Sequence, residues 1–170
     1  MKKILITGPE STGKTTLTQG LIKRLDGIMV PEFARIYLEK LNRSYEEDDL
    51  LAIAKGQLDW INQGIQKSPN YLIVDTGLLV IKIWSHYKYK NVHPWISTNL
   101  QKQHFDFVFL CSPSDITWEE DPHRENPRDR KELFELYKEE LVALQWNFEI
   151  LTGNKTKRLS KVMEKLDNQN

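Results

Sequence analysis

The run from Gly8 to Thr15, GPESTGKT, constrains this chain more than any other feature of its sequence. It satisfies G-x-x-x-x-G-K-[ST] at every fixed position, directly after an apolar run and directly before a stretch of helical periodicity. In that context successive backbone N–H groups and a helix N-terminus point at one spot, which is how proteins hold phosphate. The motif therefore predicts a phosphate-binding loop (P-loop) between a strand and a helix.

Apolar runs of strand length alternate with helical stretches along the rest of the chain. This alternation predicts an α/β protein, a three-layer α/β/α sandwich around a central, mostly five-stranded parallel sheet. With 170 residues we expect a single domain over 1–170. The expected strands are 3–7, 28–30, 71–74, 105–111 and 146–151. The expected helices are 14–25, 32–41, 46–66 with Ser44 as its N-cap, 77–89, 94–103, 130–144 and 154–166.

The P-loop is expected to bind ATP or GTP together with Mg²⁺. Lys14 would reach the β and γ phosphates, and the Thr15 hydroxyl would ligate the metal. The intact Lys14 and Thr15, together with Asp75, argue against a scaffold that binds nucleotide without turning it over. The predicted nucleotide-binding residues are Gly8, Glu10, Ser11, Thr12, Gly13, Lys14, Thr15 and Thr16.

Asp75 ends the third expected strand after four apolar residues. A carboxylate at that position lies at the carboxyl edge of a parallel sheet, where it can face Mg²⁺ directly or through water. The alternative is that Asp75 caps the helix that follows. We interpret it as a metal-site residue because the strand, the position and the P-loop agree.

Glu32 and Arg35 follow the second expected strand, across the crevice from the P-loop. Glu32 could accept a proton from an acceptor hydroxyl or orient that hydroxyl, a task for which Asp75 is the other candidate. Arg35 could hold the acceptor or a phosphate. The alternatives are that Glu32 is a helix first-turn acid and that Arg35 forms a surface ion pair with it.

Residues 112–129 carry three prolines and mixed charge without helical or strand periodicity. A loop of this length inside a compact domain is usually functional or mobile, and its arginines favour a lid, about residues 112–130, that closes over the phosphates. The Trp118 ring could stack on a positively charged ring. The alternative is a solvated charge run anchored by Trp118. The other candidate lid residues are Asp121, Arg124 and Arg128.

Charge and composition narrow the class of partner. Lys plus Arg and Asp plus Glu each number 24, so the chain lacks the basic surplus that nucleic acid or an anionic membrane would require. No apolar run approaches the length of a bilayer span. The single cysteine, Cys111, cannot form an internal disulfide and is expected to be inert. We therefore expect a soluble cytoplasmic protein whose partner is a small molecule.

Four segments together resemble the ribosylnicotinamide kinase domain of the NadR type of NAD-biosynthesis regulator: 8–16, 32–35, 75–76 and 115–124. The resemblance extends over roughly residues 3–151. It implies transfer of the ATP γ-phosphoryl group to the 5′-hydroxyl of nicotinamide riboside, giving nicotinamide mononucleotide. A cationic nicotinamide ring would suit Trp118 and the acids that follow it. Longer members carry an adenylyltransferase domain ahead of the kinase, and we expect neither that second step nor DNA binding from this chain.

Two other functions remain open at this point. The chain could phosphorylate another nucleoside or a nucleoside monophosphate, because an acid after the second strand and an arginine-rich lid suit those acceptors as well. It could instead be a nucleotide-dependent switch or ATPase that drives a partner, since motors, switches and small-molecule kinases share the P-loop. Only ADP release that depends on an acceptor separates a kinase from an ATPase.

Overall fold

The computed structural model describes residues 1–120 and 128–168 of the chain. Within those residues no helix is both long and apolar enough to cross a bilayer. The strands are β1 (Lys2–Thr7), β2 (Gly27–Val30), β3 (Tyr71–Asp75), β4 (Phe107–Cys111) and β5 (Glu149–Leu151). The helices are α1 (Lys14–Ile22), α2 (Phe33–Lys40), α3 (Glu47–Gln66), α4 (Leu78–Tyr89), α5 (Pro94–Gln101), α6 (Arg130–Ala143) and α7 (Lys155–Asp167).

The five strands form one sheet in the order β2-β3-β1-β4-β5, and every neighbouring pair is parallel. The predicted fold class is therefore confirmed. β1 lies in the middle, between β3 and β4; the chain passes from β1 through α1 to β2 on one side, and later crosses from β3 through α4 and α5 to β4 on the other. In a parallel sheet such a reversal opens a crevice at the carboxyl ends of the strands. The P-loop leaves β1 at that crevice.

Side chains of each central strand alternate between two apolar clusters, one on either face of the sheet. Leu5 of β1 packs with residues of α3, α4, α5 and α6, whereas its neighbours Ile4 and Ile6 pack with residues of α1 and α7. β3 divides in the same way, with Leu72 and Val74 on one face and Ile73 on the other. This period of two places helices on both faces and leaves the crevice at the sheet edge between them.

Three predicted boundaries were wrong for physical reasons. β4 begins at Phe107 rather than 105, and β5 begins at Glu149 rather than 146. Phe105 and Trp146 pack edge to face with ring centroids 5.5 Å apart, so Phe105 is buried and Trp146 partly buried without either joining the sheet. Helix α3 is capped by Glu46, not by Ser44, because Glu46 and Asp49 form a reciprocal capping box.

Asp49 also ties α2 to the start of α3. Its carboxylate is 3% exposed and accepts hydrogen bonds from the Tyr37 hydroxyl at 2.7 Å and the Arg43 guanidinium at 2.7 and 3.0 Å. The backbone N–H of Glu46 donates to it at 2.7 Å. These donors, the Arg43 guanidinium foremost, hold the pKa of Asp49 well below its usual value. The depressed pKa makes the ionised form a source of stability.

We expect Asp49→Asn to lower the free energy of unfolding at pH 7 by about 1–2 kcal/mol, a value that allows for solvent screening of the half-exposed Arg43. Because the pKa is lowered in the folded chain, this stability is present above the unfolded pKa and is lost as pH falls below it. Urea unfolding at pH 7 and pH 3 should show the wild type losing more stability than the variant. Asp48→Asn, on the exposed side of the same turn, is the control and should match the wild type.

Candidate active site

The P-loop curls tightly at the carboxyl end of β1, and two glycines make the curl possible. Gly8 has φ +135° and lies so close to β4 that a Cβ there would be 2.7 Å from the Cys111 carbonyl oxygen. Gly13 caps α1 in the left-handed conformation at φ +76°. Neither position suits an L side chain. The Cys111 thiol beneath Gly8 is buried, and burial raises its pKa to about 11.

Lys14 folds back over the loop that precedes it. Its Nζ donates to the carbonyl oxygen of Gly8 at 2.8 Å and to that of Pro9 at 2.6 Å. The Thr12 hydroxyl donates to the same Pro9 oxygen at 2.8 Å. The ammonium group is therefore held inside the curl of the loop, at the N-terminus of α1, where a phosphate would bind.

Arg158 of α7 holds the P-loop to the rest of the sheet edge. Its side chain is among the largest fully buried ones, and its guanidinium donates to three backbone carbonyls. Nη1 reaches Thr12 O at 2.8 Å, Nη2 reaches Ser112 O at 2.8 Å, and Nε reaches Gly153 O at 2.7 Å. A buried charge is tolerated when its donors are satisfied in this way.

Asp75 lies at the end of β3 and is 1% exposed. Within the described part of the chain its Oδ1 has no hydrogen-bond partner. Burial, with a smaller contribution from the negative charge of Glu32, raises the pKa of Asp75 to about 6, against hydrogen bonding from Thr15 and the charge of Lys14. The helix that follows is capped by Gly77 without a side-chain hydrogen bond, so Asp75 does not serve as that cap.

Glu32 is the N-cap of α2, in an extended conformation with no side-chain capping bond. It lines the same cavity as the P-loop, and so does the exposed Arg35. The structure thus brings Lys14, Thr15, Glu32, Arg35 and Asp75 to one edge of the sheet, as the sequence predicts.

One cavity of about 310 Å³ extends from the P-loop to a surface of α4 and α6 that we call the aromatic wall. This wall consists of Val80, Ile83, Trp84, Tyr87, Leu133 and Tyr137. The floor of the cavity is formed by the P-loop and the first turn of α1, residues 8–17, which include every predicted nucleotide-binding residue. Burial and the charges of Glu32 and Glu10 hold the pKa of Tyr137, on this wall, well above its usual value. The remaining described residues that line the cavity are Glu32, Ala34, Arg35, Leu38, Val80, Ile83, Trp84, Tyr87, Ile116, Glu119, Leu133, Tyr137, Lys155 and Arg158.

The described residues of the predicted lid, 112–120 and 128–130, which we call the lid stem, contact the P-loop. The backbone N–H of Glu119 donates to the Ser11 hydroxyl at 2.9 Å, and Arg130 Nη1 donates to the carbonyl oxygens of Ser11 at 3.1 Å and Ile116 at 3.0 Å. Arg130 also lies 5.6 Å from the centroid of the Trp118 ring. The stem and the loop are therefore joined on both sides of the chain segment 121–127.

The other predicted lid residues are placed differently. Trp118 and the exposed Arg128 are not among the described residues that line the cavity. Asp121 and Arg124 lie outside the residues that the structure describes. Of the two lid arginines that the structure describes, Arg128 and Arg130, Arg130 contacts the P-loop.

Sequence reasoning missed the aromatic wall and the buried arginine. Trp84 and Tyr87 belong to α4, and together with Val80 and Ile83 they share the i, i+3, i+4, i+7 face of that helix. The spacing was visible in the sequence, but it marks a buried face without saying whether a cavity or a core covers it. Arg158 carries no sequence signal, because its partners are distant backbone carbonyls.

Comparisons with known proteins agree with this architecture. A family model described as an AAA domain matches residues 3–158. No functionally curated protein matches the chain. Two solved structures of NadR protein, one in complex with NR and one with NAD and AMP-PNP, superpose with TM-scores of 0.87 and 0.80 at 21% and 19% identity. Both comparisons cover 98% of this chain, which spans only 51% and 49% of those chains.

A third solved structure matches the chain over nearly its full length. Deoxyadenosine kinase from M. mycoides, with products dCMP and dCDP bound, superposes with a TM-score of 0.67 at 18% identity. That comparison covers 98% of this chain and 99% of the other. The fold around the P-loop is thus one that nucleoside kinases share.

Asp75→Asn should stabilise the protein in the absence of nucleotide and metal. Because the folded chain raises the pKa of Asp75 from 3.8 to about 6, the ionised carboxylate costs stability, and this cost grows as pH rises through the folded value. We expect the free energy of unfolding of the variant at pH 8 to be about 1–3 kcal/mol higher than that of the wild type. Urea unfolding at pH 5 should show a smaller gap. A variant less stable than the wild type at pH 8 would contradict the raised pKa.

Proposed function

This chain belongs to the AAA domain family, and we propose that it is a kinase that transfers the γ-phosphoryl group of ATP to the 5′-hydroxyl of nicotinamide riboside. The observation that carries this proposal is the single cavity shared by the P-loop, Glu32 and the aromatic wall of α4 and α6. A phosphoryl donor on the loop and a nucleoside against the wall would meet at Glu32. The similarity of fold to NadR and deoxyadenosine kinase supports the same reaction class.

The lining of the cavity supports a nucleoside acceptor with a positively charged ring. Trp84, Tyr87 and Tyr137 offer aromatic surface, and Glu10, Glu32 and Glu119 place carboxylates in the same cavity. Aromatic faces and carboxylates both attract a cation, and the nicotinamide ring of the riboside carries one. A neutral nucleoside would use the aromatic surface but would lack the charge attraction between its ring and the carboxylates. This is why we favour nicotinamide riboside over other nucleosides.

The residues at the sheet edge fit a magnesium ion. The buried Oδ1 of Asp75 lacks a donor among the described residues, and Thr15 hydrogen-bonds with the same side chain. Neither here nor elsewhere in the described residues does a group of three or more His, Cys, Asp or Glu side chains come together that could hold a metal. A site of few protein ligands suits Mg²⁺, which takes its other ligands from water and nucleotide phosphates. Bound there, Mg²⁺ would neutralise phosphate charge.

In the proposed mechanism the chain's own groups position the reactants for direct in-line transfer, without a covalent enzyme intermediate. The loop amides and the Lys14 ammonium would bind the phosphates, with Lys14 leaving the carbonyls of Gly8 and Pro9 for the ligand. Glu32 would accept a hydrogen bond from the acceptor hydroxyl and take up its proton as the new bond forms. Arg130, already at the P-loop, would add positive charge near the transferring group.

The decisive experiment is ADP release measured with a panel of nucleosides and mononucleotides. We expect release that depends on nicotinamide riboside, with a turnover at least about tenfold above that for neutral nucleosides. Lys14→Ala should lower this turnover by about 100-fold or more, because it removes the ammonium that stabilises the transferring group. ADP release that is independent of every acceptor would instead identify an ATPase and would overturn the proposal.

A pair of tryptophan variants tests which aromatic surface binds the acceptor. Because Trp84 lines the cavity and Trp118 packs under Arg130, Trp84→Leu should raise the acceptor KM by about tenfold with little change in the KM for ATP. Trp118→Leu is the matched variant and should change the acceptor KM by less than about threefold. The reverse pattern would place the acceptor against the lid stem rather than against α4.

A further inference from the structure

We propose that Gln57 of α3 is a positioning residue that fixes the orientation of Glu32, an inference that rests on the proposed role of Glu32 in phosphoryl transfer. Gln57 is 1% exposed and is not among the described residues that line the cavity. It therefore has no means of touching the acceptor. Any effect it has on transfer must pass through another residue.

The two hydrogen bonds of the Gln57 amide bracket Glu32. Its Nε2 donates to the Pro31 carbonyl oxygen at 3.2 Å, and its Oε1 accepts from the Phe33 backbone N–H at 2.8 Å. The Pro31 carbonyl belongs to the peptide plane before the Glu32 Cα, and the Phe33 N–H belongs to the plane after it. Holding both planes fixes the two backbone dihedrals of Glu32 and hence the direction in which its side chain leaves the chain.

Neighbouring residues of α3 hold Phe33 in the same place. A Cβ on Gly56 would lie 2.3 Å from the Phe33 ring, so the glycine is what allows the ring to pack against the helix backbone. Trp60, one turn further on, meets the ring edge to face with centroids 4.8 Å apart. Gly56 and Trp60 thus form a recess for the Phe33 ring. Gln57, which lies between them in α3, binds the Phe33 backbone N–H.

The bracket requires an amide. A glutamine side chain donates and accepts at one end, which matches the two groups that flank Glu32. Methionine has a similar length but offers neither bond, and glutamate can accept from Phe33 but cannot donate to Pro31 when ionised. Glu32 itself gains no side-chain capping bond at the start of α2, so its backbone is what orients it.

A double-mutant cycle tests the proposal in the full chain, with acceptor-dependent ADP release as the readout. Gln57→Met should lower kcat by about 10–100-fold and leave the KM for ATP within about twofold, since small misplacements of a reacting group carry losses of this size. In a Glu32→Gln background the same substitution should cost less than about twofold, because the residue it positions is already gone. Gln63→Met, on the exposed face of α3, is the matched control and should retain wild-type kcat.

The outcomes separate this inference from the function on which it rests. Losses that multiply in the double variant, or a folded Gln57→Met with at least half of the wild-type kcat, would overturn the role of Gln57 alone. A fully active Glu32→Gln would overturn the role of Glu32 and the inference with it, whereas a wild type without acceptor-dependent release would overturn the proposed function itself. If Gln57→Met does not fold, Gln57→Glu and Gly56→Ala replace it under the same criteria, because the first removes the donor to Pro31 and the second displaces the Phe33 ring.

Discussion

A guanidinium group buried at the carboxyl edge of the sheet joins the P-loop to the two segments that follow β4 and β5. Arg158 binds the carbonyls of the P-loop, of the residue after β4 and of the turn before α7. Those segments are far apart in sequence, and the sheet alone fixes only where their strands end. The arginine fixes how the chain continues past those ends. The curl of the P-loop, the stem of the lid and the start of α7 therefore share one anchor.

The same edge also carries an unfavourable interaction that the fold does not relieve. Asp75 is buried with one oxygen lacking a donor among the described residues, and Glu32 adds a second negative charge nearby. A core selected for stability alone would contain neither. Sites that bind cations commonly accept such a cost, because the ligand later supplies the missing positive charge. The electrostatic cost at Asp75 and the proposed magnesium site are thus two consequences of the same arrangement of residues.

Much of this architecture could be predicted from the sequence, because local patterns encode it. The P-loop motif, the alternation of strands and helices, and the placement of Glu32 and Asp75 after strands follow from spacing that a short window contains. The observed strand starts at Phe107 and Glu149 could not be predicted, because Phe105 and Trp146 are as apolar as strand residues and differ only in packing against each other. The contacts of Trp84, Arg158 and Gln57 depend on partners that only the tertiary fold brings near.

The lid stem and Trp118 show the limit of reasoning by residue type. An aromatic ring among charges predicts a platform for a ligand, and the described structure places the chain's own Arg130 over the Trp118 ring. The composition of the segment does not say which side chains face a ligand and which face a neighbour. Such assignments need geometry, since an intramolecular cation satisfies an aromatic face as well as a bound one.

Cys111 lies directly under the P-loop, where Gly8 packs on its backbone, and its thiol is buried with a pKa near 11. At neutral pH such a thiol is protonated and sheltered, so reagents that attack thiolates have nothing to react with until this part of the sheet opens. The Cys111 thiol can therefore report on local opening at the centre of the sheet. The rate at which an alkylating agent modifies that sulfur would measure how often this part of the sheet opens, and a ligand bound to the P-loop would lower that rate.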